Sequence, residues 1–102
     1  MAADTGFRLE RGEPGTLAVS GVLGFPTAAE AWQTLDGALR AGDRSTLDLA
    51  GVRSCDSAGL ACVLAVLAAA RVRGQVVSLR HVPDGLRTLA QVSGVEAFLA
   101  PA

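Results

Sequence analysis

The chain holds the three residue types of a nucleophilic triad: Asp56 and Ser57 side by side, and His81, its one histidine. Adjacency argues against that use, because a triad carboxylate stands behind the imidazole to orient it, with the nucleophile on the other side. No Gly-x-Ser-x-Gly elbow is present, and His81 follows a strand-like segment in the next unit. Catalysis is therefore not expected. Cys55 and Cys62 have a spacing that fits no common zinc motif, and one histidine is too few to complete a structural site with them. There is no lysine, which removes Walker-type phosphate loops and Schiff-base chemistry. No metal or cofactor is implied, and no direct nucleotide binding. Asp48 reads as an outward polar residue, or a hydrogen-bond acceptor, in the middle of a strand.

What remains chemically distinctive is the turn Ser54-Cys55-Asp56-Ser57-Ala58-Gly59-Leu60. Asp56 or Ser57 can accept hydrogen bonds from the free amides of a helix start, and capping alone would account for either. After the turn, no polar residue occurs from Leu60 to Ala70. Leu60, Val63, Leu64 and Leu67 form a stripe at helical spacing that should face a sheet. Ala58, Ala61, Cys62, Ala65, Val66 and Ala69 then occupy sides that a small monomer normally gives to charges. A membrane span is excluded, since Asp56 and Arg71 bracket the run too closely. Two explanations remain. The helix is buried between helices of its own domain, or its small side chains form a smooth patch for another protein. The second is the expectation here.

Around this helix the sequence predicts an ordered set of elements. Phe7 to Arg11 and Thr16 to Gly21 read as strands joined by the turn Gly12-Glu13-Pro14-Gly15, and Val22 to Pro26 as a loop. Thr27-Ala28-Ala29-Glu30 has the form of a capping box. The helix it opens carries Ala31, Trp32, Leu35 and Leu39 inward and closes at Gly42. Core packing is the default role for Trp32. Thr46 to Ala50 is a strand and Gly51 to Asp56 a turn. The second helix runs from Ser57 to about Arg73, and Val76 to Arg80 is a further strand. Asp84 caps a third helix that ends at Gly94. Val95 to Leu99 fits either a strand or a helical turn. The order β-β-α-β-α-β-α implies an α/β fold, a mixed sheet with helices mainly on one face.

Length and composition agree. The 102 residues make one domain, large enough to bury a core without staples. Half are apolar, but only Phe7, Phe25, Trp32 and Phe98 are aromatic, so Leu, Val and Ala must fill that core. This scarcity argues against stacking platforms for single-stranded nucleic acid. The net charge is −1 and the arginines are scattered, so a nucleic-acid footprint is not expected either. The start, Met1-Ala2-Ala3-Asp4, lacks the basic and apolar regions of an export signal. With two unpatterned cysteines, this leads us to expect a cytoplasmic protein with reduced thiols.

Leu47-Asp48-Leu49-Ala50-Gly51-Val52, then Cys55-Asp56-Ser57-Ala58-Gly59-Leu60 and an apolar helix, resembles the signature of STAS domains. The resemblance spans roughly Thr16 to Val95. That family includes bacterial anti-sigma-factor antagonists, the tails of sulfate transporters, and the small MlaB-type subunits of phospholipid-trafficking ABC transporters. Classical antagonists carry Asp-Ser-Ser-Gly with the second serine as phosphoacceptor; here that position is Ala58, which has no hydroxyl. MlaB-type proteins keep a hydroxyl residue directly after the aspartate, then a small residue and Gly-Leu, as Asp56-Ser57-Ala58-Gly59-Leu60 does. The resemblance implies a non-catalytic subunit that binds and activates a cytoplasmic ATPase (MlaF-like) beside permease and MlaD-like subunits. Such a subunit would meet the inner membrane only through the complex. Asp56, Ser57, Ala58 and Gly59 at the helix start would lie in the interface, continued by Ala61, Cys62, Ala65, Val66 and Ala69. The alternative is an anti-sigma-factor antagonist in which Ser57 is the phosphoacceptor.

Overall fold

A computed structural model describes residues 6–99 of the chain. Strand β1 (Phe7–Arg11) and strand β2 (Thr16–Leu23) form an antiparallel hairpin in which Phe7 opposes Gly21 and Arg11 opposes Leu17. Helix α1 (Ala28–Arg40) returns the chain to strand β3 (Thr46–Cys55), parallel to β2. Helix α2 (Ser57–Val72) leads to strand β4 (Ser78–Arg80), parallel to β3. Helix α3 (Asp84–Val92) and a 3-10 turn at Glu96–Leu99 follow, which decides the segment left open above in favour of a helical turn. The sheet order is β1-β2-β3-β4. This is a single α/β domain with a four-stranded mixed sheet, in the element order expected.

Strand alternation sorts the sheet into two faces. Leu17, Val19, Leu23, Leu47, Leu49 and Leu79 are buried on one of them. Against them pack Ala31, Leu35 and Leu39 of α1, Leu60, Val63 and Val66 of α2, and Leu86 and Ala90 of α3. The alternate positions, such as Ser20, Asp48 and Arg80, are half-buried or exposed. A polar tie joins the helices at the edge of the core. Asp36 of α1 accepts from Arg73 Nη1 at 2.9 Å and from Arg40 Nε at 2.8 Å.

Several boundaries depart from the sequence reading. Strand β2 runs through Val22 and Leu23, and β3 continues through the predicted turn to Cys55. These extensions pair with each other, Leu23 against Cys55, with register irregularities between Ala18 and Ser20 and between Gly21 and Val22. The reason is physical: past Leu49 the strand outruns the core and its residues are mostly exposed, so no apolar alternation marks them. The capping box does not form. Thr27 precedes α1, but its hydroxyl donates toward Val22 O (2.9 Å) and Gly24 O (3.2 Å) and accepts from Gly24 N (3.1 Å), inside the preceding loop. Asp84 is the first residue of α3 and not its cap; there it places an acidic group in the first turn, where the helix dipole favours one. Strand β4 is shorter than predicted, beginning at Ser78.

Candidate functional site

The start of α2 is fixed by Asp56. Its Oδ1 accepts from the backbone N–H of Ala58 (2.9 Å) and Gly59 (3.0 Å), two of the orphan amides of the first turn. Its Oδ2 accepts from the N–H of Phe25, 3.0 Å away in the loop between β2 and α1. One carboxylate therefore joins the tips of two βα units. The N–H donors of Phe25, then Gly59 and Ala58, hold its carboxyl below the usual aspartate range against the opposing effect of desolvation. Close approach makes this junction possible. A Cβ on Gly59 would collide with the carbonyl oxygen of Leu23, and one on Gly24 would stand 2.8 Å from Asp56 Oδ2.

With Asp56 acting as the cap, Ser57 is free of that duty. It is the first residue of α2, exposed, and its hydroxyl has no hydrogen-bond partner among the described residues. The open choice between the two residues is thereby decided. The triad types do not assemble: His81 Nδ1 lies 2.9 Å from Asp48 Oδ1, while the Asp56 oxygens are occupied by backbone amides. Both cysteines are free thiols, half-buried Cys55 and buried Cys62. Desolvation raises both thiol pKa values, with the Asp56 charge adding to the rise at Cys55. Among the described residues no group of His, Cys, Asp and Glu is placed to hold a metal ion, and no helix is long and apolar enough to cross a membrane.

The orientation of α2 corrects part of the expected interface. Gly59, Leu60, Cys62, Val63, Val66 and Ala70 are the buried residues of this helix. Cys62 and Val66, expected to face a partner, are instead sealed in the chain's own core at 5% and 0% exposure. Gly59 is likewise buried against β2. Leu64 and Leu67, expected under the helix, sit at its flank, half-buried. Of the remaining expected positions, Ser57, Ala61 and Ala65 are exposed, and Ala58 and Ala69 are half-buried. The outward stripe reads Ser57, Ala61, Ala65, Ala68 and Val72, spaced by four, four, three and four residues. Apart from the serine at its head it is apolar, and the last two members went unrecognised in the sequence. So did Phe25, whose ring is 83% exposed while its amide is held by Asp56. The signal for it was present: an aromatic residue set between Gly24 and Pro26, in a loop with little means of burying it.

The arrangement presents an uncharged helix face with a hydroxyl at its head and an exposed aromatic residue on the neighbouring loop. A family model described as "Mlab, STAS domain" matches residues 8–101. The fold is similar to that of the anti-sigma factor antagonist SpoIIAA in its unphosphorylated form. There the TM-score is 0.62 and the identity 19%, over 83% of this chain and 81% of that one. It is also similar to the phosphorylated form of the Bacillus cell fate determinant SpoIIAA (TM-score 0.65, 20% identity, 94% of this chain and 90% of that one). A third likeness, to the crystal structure of Mglu, has a TM-score of 0.56 at 26% identity and covers 76% of this chain but 19% of that one. No curated protein matches the sequence. With the family model covering all but the ends of the chain, and the fold shared with SpoIIAA, this protein belongs to the STAS domain family and is most like MlaB.

Proposed function

We propose that the chain is the non-catalytic accessory subunit of a phospholipid-trafficking ABC transporter, of the kind that maintains lipid asymmetry in Gram-negative bacteria. It docks onto the transporter's cytoplasmic ATPase subunit and stabilises or activates it. Membrane association then comes only through that subunit and the permease and MlaD-like components beyond it. The observation that carries this reading is the division of labour at the α2 start. Asp56 does the capping, so Ser57 stands exposed, its hydroxyl without a partner among the described residues, at the head of an apolar stripe formed by Ala61, Ala65, Ala68 and Val72. An exposed hydroxyl without an internal role is available to a partner's polar group, and small side chains let a partner backbone approach closely. Ala58, at the position where classical antagonists phosphorylate serine, supports the transporter reading over the regulatory one.

The test is to co-purify the tagged chain with its partners and measure ATP hydrolysis by the complex. Ser57→Ala should leave the melting temperature unchanged and lower the stimulation of the ATPase. Equal stimulation by variant and wild type, or recovery of an anti-sigma kinase in place of an ABC ATPase, would count against the proposal. The exposed Ser57 hydroxyl also favours a second reading, an antagonist phosphorylated at Ser57. A phosphate there adds about −1.5 to −2 charges beside a helix N-terminus that tolerates an anion, while repelling an apolar partner. Mass measurement after incubation with candidate kinases separates the two, since only this second reading requires a phosphoryl adduct on Ser57.

A further inference from the structure

The C-terminal half of α2 and the turn after α3 enclose an open, apolar groove of about 460 Å³. Among the described residues it is lined on α2 by Leu64, Leu67, Ala68 and Val72, with Arg71 the charged member there, and beyond α2 by Val95 and Phe98. Val72 is 88% exposed and Phe98 58%, so the rim is apolar as well as the floor. Positions 64, 67, 68, 71 and 72 follow the i, i+3, i+4, i+7, i+8 spacing of a helix face that packs against another helix. A different side of α2 serves that purpose within the domain, carrying Val63, Val66 and Ala70 into the core. Small Ala68 in the middle of the groove stripe leaves room for a close-lying backbone.

Arg71 decides what kind of helix fits. Its guanidinium has no hydrogen-bond or ion-pair partner among the described residues. A second copy docked through the same groove would present the same patch. Among the described residues that patch contains no carboxylate, so none of them could pair with either arginine in that apolar setting. A helix with an acidic side chain on its flank pairs the charge, as flanking charges do in coiled coils.

We infer that the groove seats an amphipathic helix of the docking partner, with apolar residues against Leu64, Ala68 and Val72 and a carboxylate on Arg71. The inference rests on the reading of α2 as the partner-facing helix. It adds a second contact at the opposite end of α2 from Ser57, with Ala65 and Ala68 joining the two.

The test places the photo-crosslinking residue p-benzoylphenylalanine at Val72, and separately at Ala61, in the full chain expressed in its native cells. Both positions should trap the same partner protein. The Val72 adduct should map to a segment with apolar residues at i, i+3 or i+4 and i+7 and an Asp or Glu within one turn. A fluorescent peptide of that segment should bind the purified chain, and Arg71→Glu should weaken binding at least tenfold. Changing the peptide's acidic residue to Lys should restore affinity for the Arg71→Glu protein. Arg71→Gln should also weaken binding, which guards against a folding defect specific to the charge reversal. A Val72 adduct with lipid, with another copy of this chain or with a segment lacking that pattern would overturn the inference. So would equal affinity of wild type and Arg71→Glu. Capture of the ATPase at Ala61 with no partner protein at Val72 would remove the groove contact and leave the proposed function standing. A patterned helix at Val72 from a protein outside any transporter would do the reverse.

Discussion

Asp56 satisfies three backbone amides with two oxygens, and so belongs to two loops at once. Its pKa is depressed by those donors, as that of Asp36 is by the hydrogen bonds of Arg40 and Arg73, and that of Asp48 chiefly by the His81 side chain. The sign of the linkage follows. Each carboxyl binds its proton more readily in the unfolded chain, where its pKa is about 3.9. The stability these groups contribute is therefore complete well above that value and lost as pH falls through the lower folded values. The contribution of these three carboxyls to the urea midpoint should accordingly hold above about pH 5 and fall away below about pH 4. Asp56→Asn should be less stable than wild type near neutrality, because an amide nitrogen cannot accept the Phe25 N–H that Oδ2 now takes. It should also lose less on acidification. A variant whose acid sensitivity matched wild type would show that Asp56 contributes nothing to it. Ser57, one residue on, carries none of this burden, which is why its substitution can separate partner binding from stability.

At the scale of elements, β2 and α2 meet in a very close contact. Gly59 packs so closely under the Leu23 carbonyl that a methyl group has no space, and the obstacle is backbone, which cannot swing aside. Gly59→Ala should therefore destabilise the fold by about 3 kcal/mol, the upper end of overpacking costs, even though alanine is the better helix former. Thermal or urea unfolding measures it, and a change within about 0.5 kcal/mol would mean that α2 slides away without penalty. This helix also shows what was legible in the sequence. Its limits were, because Asp56 and Ser57 open it and an unbroken apolar run follows from Leu60 as far as Arg71. Its rotation was not: with apolar residues on every side, periodicity has no polar face to measure against. The stripe Leu60, Val63, Leu64, Leu67 was as plausible as the buried set that includes Cys62 and Val66. Thr27 and Glu30 matched a capping box by type and spacing, yet the hydroxyl found nearer carbonyls at Val22 and Gly24. Local pattern gave the elements and their order; competition between partners in three dimensions decided the rest.

Seen whole, the domain is two-sided. One face of the sheet is covered by the three helices, whereas the other presents side chains such as Ser20, Asp48 and Arg80, and carries the ion pair of Arg80 with Glu13 and the hydrogen bond between His81 and Asp48. On the helical side, the outward stripe of α2 offers no charge until Arg71. If α2 is where a partner sits, binding must be equally one-sided. Ala65→Arg puts a charged stem in the middle of the stripe at an exposed position, so its cost to folding should stay within about 0.5 kcal/mol. A partner docked there would have to desolvate the guanidinium or be held away, and affinity should fall at least tenfold, about 1.4 kcal/mol. Arg80→Ala, on the opposite face, should leave affinity unchanged and affect stability little, because it removes only an exposed ion pair. Val66→Arg, one residue along from Ala65 but wholly buried, should prevent folding altogether, since an unpaired charge would enter the core. Titration of the purified variants against the isolated partner, with melting curves alongside, gives all three outcomes. Loss of binding with Arg80→Ala and retention with Ala65→Arg would place the partner on the sheet and leave the α2 stripe as ordinary surface.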